Sequence, residues 1–424
     1  MRSWLFLLIS IAIAAAVFLL ARLVGNDYVF FAGYVVLQYI VLATAWNILG
    51  GYTGYVNFGS AAFFALGAYT TVFSYKIFPL PIPALMVLGG IVSGIVGLGT
   101  GYLTLRLRGA FFAIATLALA VVLQTLIVNW TYVGGARGAY VIRPESVPVI
   151  GNYVHYLFLL MLALAIIALV TARAIERSQL GYGFATIRDD ELAAEASGVP
   201  TLRLKLVATT LSGALMGMAG APFPYYIGYV QPSSAFALDY AVNSIAMPMI
   251  GGTTSWVGPL IGAVLLGSLQ QIATVTISSA VNLLIVGLLI VDCVIIAPNG
   301  IVGLVQGRRT GPNVVADPAV FALLYVINFI PIYFLHQEAL SARPLEIIFW
   351  AILVFLAFMR GRLLGQHWLS GLPVVGAMLS IIPGPSWLWL LAALVNIVCL
   401  GCGLVLRPRR STRLAPAVSS SPAP

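Results

Sequence analysis

The sequence consists largely of apolar runs close to 20 residues long, separated by short polar tracts. A helix of about 20 residues spans the hydrocarbon core of a bilayer, so each run is a candidate membrane span. Only 8% of the 424 residues are charged, whereas a soluble domain carries about 25%. The candidate spans are 4–24, 29–50, 57–75, 84–105, 110–130, 153–172, 206–229, 237–251, 259–279 and 280–298. We therefore predict an all-α fold, a polytopic transmembrane helical bundle with about ten spans in this part of the chain.

The distribution of basic residues predicts the orientation of the chain. The formal net charge is +9, and all but two of the 21 basic residues are arginines. A nucleic-acid-binding surface would form one continuous basic face, but these arginines lie in separate tracts between apolar runs. Such tracts are typical of cytoplasmic loops. With a cytoplasmic amino terminus, the tracts at 106–108, 173–205 and 306–310 all fall inside. We predict a protein integral to the cell (inner) membrane in that orientation.

The chain beyond residue 307 is predicted to form a separate region. Its apolar runs indicate about two to four further spans. They lie at 319–335, 345–359, 369–382 and 387–406. We divide the chain into a core at 1–307, a linker at 308–318, an additional membrane-spanning region at 319–410 and a disordered tail at 411–424. The tail is small, polar and rich in proline, a composition that does not support a packed core.

Two apolar segments are interrupted by polar residues, glycine or proline. Asn57 and Ser60 interrupt the segment at 51–69, and Pro248 and a glycine pair interrupt the segment at 247–259. Irregular backbone at membrane depth is tolerated where it is buried in protein or lines a cavity. Paired interruptions in the two halves of a transporter point to a solute path. A kink or a loop between two spans explains the same pattern, so both interpretations stay open.

The longest charged tract lies between two spans, at 178–206. Acidic residues followed by alanines at 189–197 predict a short helix, since acidic groups favour the first turn and alanine propagates it. Gly198 and Pro200 then end the helix. A short cytoplasmic helix with defined ends is suited to docking on a partner. A solvated loop is the alternative.

The chain carries no motif for energy conversion or catalysis. Neither lysine stands in a GxxxxGK[ST] run, so the sequence does not predict a phosphate-binding loop. The three histidines are solitary, which argues against a metal site. Two acidic residues fall at the start of or within spans, Asp239 and Asp292. Charges inside membranes are functional candidates, and they leave open an ion-gradient-driven secondary transporter of a small solute.

Several of these motifs together resemble the permease subunits of branched-chain amino-acid ABC importers, the LivM-like family. The tract RDDELAAEASGVPTLRLKL resembles that family's cytoplasmic coupling loop, and YTGYVNFGSAAFFALGAYTT resembles its first-half signature. FALDYAVNSIAMPMIGGTTSWVGPLIGA is similar to the second-half signature. RLRGAFFAIATLALA, YVGGARG and APNGIVGL also resemble family segments, in the expected order over residues 1–307. The region after residue 312 resembles nothing in that family.

The resemblance implies a non-enzymatic transport subunit that works with other chains. Cytoplasmic ABC ATPase subunits would bind the ATP, a sister permease subunit would complete the channel, and an external solute-binding protein would deliver the solute. No cofactor is expected on this chain, and its surroundings would be membrane lipid. The solute would be a branched-chain amino acid, with urea and short amides as alternatives within related permeases.

The resemblance and the interruptions together give two sets of candidate site residues. The residues expected to couple to the ATPase are Arg188, Asp189, Asp190, Glu191, Glu195 and Gly198. The residues expected along the substrate path are Tyr52, Gly54, Asn57, Gly59, Ser60, Asp239, Asn243, Gly251 and Gly252.

Overall fold

The protein is described by a computed structural model. It describes residues 3–78, 80–142, 146–147, 151–276, 287, 300–305, 317–337, 343–364, 366–381 and 386–405. Within this part, helices dominate and strands are confined to four two-residue segments, which confirms the predicted all-α fold. Among the described residues, five stretches are long and apolar enough to cross a membrane: Asp27–Thr53, Ile82–Thr104, Ala110–Val128, Tyr153–Glu176 and Thr201–Ile227.

The described residues pack as two compact units. The first contains the described residues up to 272 together with 300–305, and the second contains 273–276, 287 and everything described from 317 onward. The predicted division of the chain falls between 307 and 318, and residues 306–316 lie outside the described part.

The helices of the first unit begin and end close to the predicted apolar runs. In chain order they are α1 Ser3–Val24, α2 Asp27–Thr53, α3 Ser60–Ile77, α4 Ile82–Thr104, α5 Ala110–Val128, α6 Tyr153–Glu176, α7 Gln179–Asp189, α8 Glu191–Ala196, α9 Thr201–Gly220, α10 Phe223–Ile227, α11 Pro232–Ala235, α12 Leu238–Gly251, α13 Val257–Thr276 and α14 Gly300–Val305. Short 3-10 turns cover Thr131–Val133 and Gly135–Arg137. Of the tenth predicted span, at 280–298, the structure describes residue 287 alone.

Helix α2 is the centre of the first unit. All its residues from Ile40 to Thr53 are buried, and the helix packs against α6, α7, α9 and α12. A helix that is apolar on every side either lies in a protein core or spans a membrane, but buried polar side chains such as Gln38, Thr44 and Asn47 in α2 favour a position surrounded by protein. The contacts of α2 with its neighbours therefore identify it as the central helix of this unit.

Helices α3, α4 and α9 approach each other through small residues. A side chain added at Gly67 of α3 would lie 1.9 Å from the carbonyl oxygen of Gly217 in α9. Ser93 of α4 lies at the same crossing and donates a hydrogen bond of 2.9 Å to the carbonyl of Phe63. Close backbone approach replaces the hydrophobic drive that lipid does not supply. The glycine spacing in these runs is therefore a packing feature.

The loops of the first unit collect at two ends of the bundle. At one end, strand β1 (Ala139–Tyr140) pairs antiparallel with β4 (Tyr229–Val230), and β2 (Ser146–Val147) pairs with β3 (Gly151–Asn152). We call this the ribbon end. The opposite end carries α7, α8 and the α4–α5 loop, which meet through an ion pair between Arg108 and Glu191. We call it the α8 end.

The second unit is also helical. Its helices are α15 Pro318–Gln337, α16 Arg343–Leu364, α17 Gly371–Ile381 and α18 Ser386–Val405, with a 3-10 turn at His367–Ser370. Tyr325 donates a hydrogen bond of 2.6 Å to the Asn396 side chain, and Arg360 Nε donates to the Gly403 carbonyl at 3.0 Å. Buried polar groups need such partners. The predicted tail at 411–424 lies outside the described residues.

Candidate functional site

Helix α8 forms because its first residues supply their own cap. Asp190 is extended (φ −160°, ψ 109°) and ends α7. Its carboxylate accepts a hydrogen bond of 3.1 Å from the Ala193 backbone N–H, which satisfies one of the free donors at a helix start. Gly198 follows the helix with φ +82°, a conformation that favours glycine. The helix predicted at 189–197 is confirmed, with its first residue at Glu191.

Replacing Asp190 with alanine is expected to loosen α8 without unfolding the bundle. Loss of an N-cap costs about 1 kcal/mol, so the amides of 191–198 should exchange with solvent about fivefold faster. Hydrogen exchange read by mass spectrometry measures this directly. Asp189→Ala is the matched control, because the exposed Asp189 side chain pairs with its neighbour Arg188 at 3.4 Å and lies one residue before the cap of α8. Equal exchange in both variants would contradict the capping role.

The inner side of α8 is held by a buried ion pair. Glu191 Oε1 lies 2.7 Å from Lys205 Nζ in α9, with side-chain exposures of 12% and 4%. The Tyr55 hydroxyl donates to Glu191 Oε2 at 2.5 Å. Lys205 Nζ also donates to the Leu105 carbonyl at 3.1 Å. The Glu191–Lys205 ion pair therefore connects α8 to the chain after α2, the end of α4 and the start of α9.

Two further contacts surround this ion pair. Arg108 Nε lies 3.5 Å from Glu191 Oε2, and its Nη2 lies 3.7 Å from Glu195 Oε2. Thr201 Oγ1 donates to Glu195 Oε1 at 2.7 Å. Arg108 is half exposed, and exposed pairs contribute little to stability. The contact that decides the position of α8 is therefore the one with Lys205.

The surroundings of Glu191 favour its ionised form. Burial by itself raises the pKa of this carboxyl. Hydrogen bonds from Lys205 and Tyr55, with the charges of Lys205 and Arg108, outweigh burial and hold the pKa of Glu191 below its ordinary value. Glu191 is consequently a carboxylate at neutral pH. Burial, followed by the hydrogen bond to Glu191, raises the pKa of Tyr55 well above its ordinary value, so Tyr55 stays a hydrogen-bond donor.

The outer side of the α7–α8 segment is exposed and partly apolar. Leu192 is 63% exposed and Tyr182 is 71% exposed. Glu195 and Gly198 also lie on the surface. Of the predicted coupling residues, only Glu191 turns inward. The others, Arg188, Asp189, Asp190, Glu195 and Gly198, lie at the surface, so they stand where a partner can reach them.

The first interrupted segment folds back along α2. Trp46 Nε1 donates to the Asn57 carbonyl at 2.8 Å. The Asn57 side chain accepts from the Gly59 N–H at 2.7 Å, and Thr116 of α5 accepts from the Phe58 N–H at 3.1 Å. Since Trp46 lies two helical turns before the end of α2, the chain at Asn57 runs back alongside α2 before α3 begins. The predicted interruption is confirmed as a break between two helices with satisfied backbone groups.

The predicted path residues of this segment separate into two positions. Tyr52 lies against α6, where its hydroxyl donates to the Ala172 carbonyl at 3.4 Å, and Gly54 lies against α7. A side chain at Gly54 (φ +78°) would lie 3.2 Å from Arg188 Cγ. Asn57, Gly59 and Ser60 are buried at the break itself. The segment therefore joins the α8 end to the interior of the bundle.

The second interruption lies beside the first. Helix α12 ends at Gly251, and Gly252 turns with φ +119°. The carbonyl oxygen of Thr253 packs against Gly51, and it would lie 2.6 Å from a Cβ atom added at that glycine. The Trp256 N–H donates to Glu176 at the end of α6 at 2.8 Å. Both predicted interruptions are thus brought together at the α8 end.

The two remaining path residues, Asp239 and Asn243, lie towards the ribbon end. Asp239 is exposed in the first turn of α12. Asn243 is buried and accepts a hydrogen bond of 2.8 Å from Gln270 of α13, and its amide reaches the Tyr39 hydroxyl at 3.5 Å. Sequence reasoning missed Tyr39 and Gln270, whose only signal was a polar group within an apolar run. Asp292 lies outside the described residues.

Helical spans, a capped helix outside them and paired breaks define a membrane transport subunit. Residues 28–294 match the family described as "Branched-chain amino acid transport system / permease component". The chain belongs to this family.

Among curated proteins, the chain is similar to the high-affinity branched-chain amino acid transport system permease protein LivM of Salmonella typhimurium. The two are 30% identical over 253 residues, 54% of this chain and 59% of that protein. The Escherichia coli LivM is 28% identical with the same coverage. The probable branched-chain amino acid transport permease protein LivH of Methanocaldococcus jannaschii is 24% identical over 59% of this chain and 84% of its own length. No solved structure matches the chain.

Proposed function

We propose that this chain is the membrane-spanning permease subunit of an ATP-binding-cassette importer for a small polar solute, in the first place a branched-chain amino acid. Family membership and the branched-chain amino acid transport for which the LivM relatives are named support the proposal. The aligned region spans 59% of the length of each LivM protein, so the solute and the partners are part of the proposal.

The observation that carries the proposal is the two-sided α7–α8 segment. Its outer face presents Leu192 and Tyr182 to solvent, as a surface for a partner would. Its inner face is tied to the spans through Glu191 and Lys205. A helix that is docked on one side and anchored on the other passes a partner's movement to the bundle, as expected of a rigid-body switch.

The partners follow from this arrangement. Cytoplasmic ABC ATPase subunits, which hold the ATP, would dock on α7 and α8, and a sister permease subunit would line the path jointly with this chain. An external solute-binding protein would deliver the solute at the ribbon end. Arg108 and Arg188 lie at the α8 end, and the retention of basic residues on the cytoplasmic side supports a cytoplasmic α8 end and amino terminus.

Co-purification tests the docking surface. The tagged native chain should bring down an ATPase from its own cells, and a variant with 188–199 replaced by Gly/Ser should not. Leu192→Ser should lower the recovered ATPase about tenfold, because re-exposing one leucine in an interface costs about 1.5 kcal/mol.

The matched control is Leu238→Ser, at the ribbon end, where Leu238 is 54% exposed. Its ATPase recovery should equal that of the native chain. An intact native chain that recovers no ATPase would overturn the proposed function. An equal loss in both leucine variants would remove α8 as the docking surface.

A further inference from the structure

All the hydrogen-bonding groups of the Glu191–Lys205 ion pair are engaged, and we call this pair and its partners the junction. A lysine ammonium has three donor protons, and the three polar contacts of Lys205 Nζ are Glu191 Oε1 at 2.7 Å, the Leu105 carbonyl at 3.1 Å and the Tyr55 hydroxyl at 3.1 Å. Both oxygens of Glu191 are also engaged. Every donor of the ammonium therefore has a separate acceptor on a different segment of the chain.

This junction joins segments that are far apart in the sequence. Tyr55 precedes Glu191 by 136 residues, and Lys205 follows it by 14. Tyr55 stands in the backbone break that leads through Asn57 to α3, and Leu105 is the cap residue of α4. If α8 moved while these three segments stayed in place, the buried charge of Glu191 would be separated from Lys205.

Separation of that pair is costly. Removing one partner of a buried ion pair is strongly destabilising, because the other charge is left uncompensated. A weak surface contact would break when α8 moves, but a buried, fully bonded pair transmits the movement instead. The exposed Arg108 contacts, at 3.5 and 3.7 Å, do not have this property.

We propose that Lys205 is the positioning residue that transmits the movement of α8 to the α2–α3 break, the α4–α5 loop and α9. The inference rests on the proposed function and adds to it the residue through which ATPase movement enters the spans. Docking and transmission are then separate properties: the outer face of α8 binds the ATPase, and Lys205 on the inner side couples that binding to transport.

The test uses the complete importer, with its ATPase and its permease partner, in proteoliposomes with external binding protein and solute. Lys205→Met keeps the length and apolar stem of the side chain and removes its charge. ATPase recovery should stay within twofold of native, while solute uptake falls at least tenfold. The ATP hydrolysed per solute imported should rise at least fivefold, which a mere loss of folded protein would not produce.

The only other lysine of the chain gives the matched control. Lys76 is exposed at the ribbon end and donates to the Tyr132 carbonyl. Lys76→Met should leave uptake and the ratio of ATP to solute within twofold of native.

A double variant tests the pair itself. Glu191→Gln should reproduce the uncoupling, and Glu191→Gln with Lys205→Met should be no worse than either single change, since both remove one interaction. If the losses of coupling in the two single variants add up in the double variant, the two residues do not act through one ion pair and the inference is wrong.

The possible failures are distinguishable. If Lys205→Met keeps native solute uptake and an unchanged ratio of ATP hydrolysed to solute imported, the inference is wrong and the proposed function still stands. Loss of ATPase recovery in Lys205→Met would also overturn it, since the pair would then only hold α8 in its docking shape. A native chain that assembles with no ATPase would overturn the proposed function instead.

Discussion

Replacing Gly67 with alanine is expected to destabilise the first unit by about 3 kcal/mol. The added methyl group would lie 1.9 Å from the carbonyl oxygen of Gly217 and 2.9 Å from its Cα. Both atoms belong to the backbone of α9, so no flexible side chain can move aside and the two helices must separate. We expect the thermal unfolding midpoint in detergent to fall by about 6–12 °C.

Gly99 of α4 provides the matched control for this change. An added side chain there meets nothing within 4 Å, and alanine is the better helix former by about 1 kcal/mol. Gly99→Ala should therefore leave the midpoint unchanged or raise it slightly. A similar fall in both variants would contradict the close approach of α3 and α9 as the reason for the destabilisation.

Replacing Asn57 with alanine is expected to weaken the break between α2 and α3 by about 1–3 kcal/mol. Asn57 is 2% exposed, and its side chain accepts the Gly59 N–H at 2.7 Å. Without this acceptor, the buried Gly59 N–H loses its hydrogen bond, and water cannot take the place of the Asn57 side chain. Faster hydrogen exchange at residues 58–62, together with a lower unfolding midpoint, would be the measured result.

Asn26 is the control for Asn57. It makes the equivalent hydrogen bond to the Tyr28 N–H at 2.9 Å at the start of α2, but at an exposed position where water can replace it. Asn26→Ala should cost less than about 1 kcal/mol. If Asn26→Ala proves the more destabilising change, burial is not what makes the Asn57 contact important.

The local features of the chain were predictable from sequence because short-range physics decides them. Asp190 caps a helix from within three residues, and Gly198 takes a positive φ directly after it. The apolar runs likewise matched the helices of the first unit closely. In each case the determining residues are neighbours along the chain.

The direction of Glu191 could not be predicted in the same way. Its sequence context is an acidic first turn, which suggests a surface residue like Asp189. Its actual position depends on Lys205 and on Tyr55, 136 residues earlier. The grouping of the predicted path residues also depended on long-range contacts, such as Thr253 against Gly51.

The sequence alone determined that this is an all-α membrane protein with a short capped helix between spans, because hydropathy, helix propensity and capping act within a few residues. Only the tertiary structure decided which face of that helix is anchored, since the partners of a buried charge come from distant segments. It also decided that Asn57 meets Trp46 and that both interrupted segments lie at one end. Those contacts depend on how helices pack, which local sequence patterns do not encode.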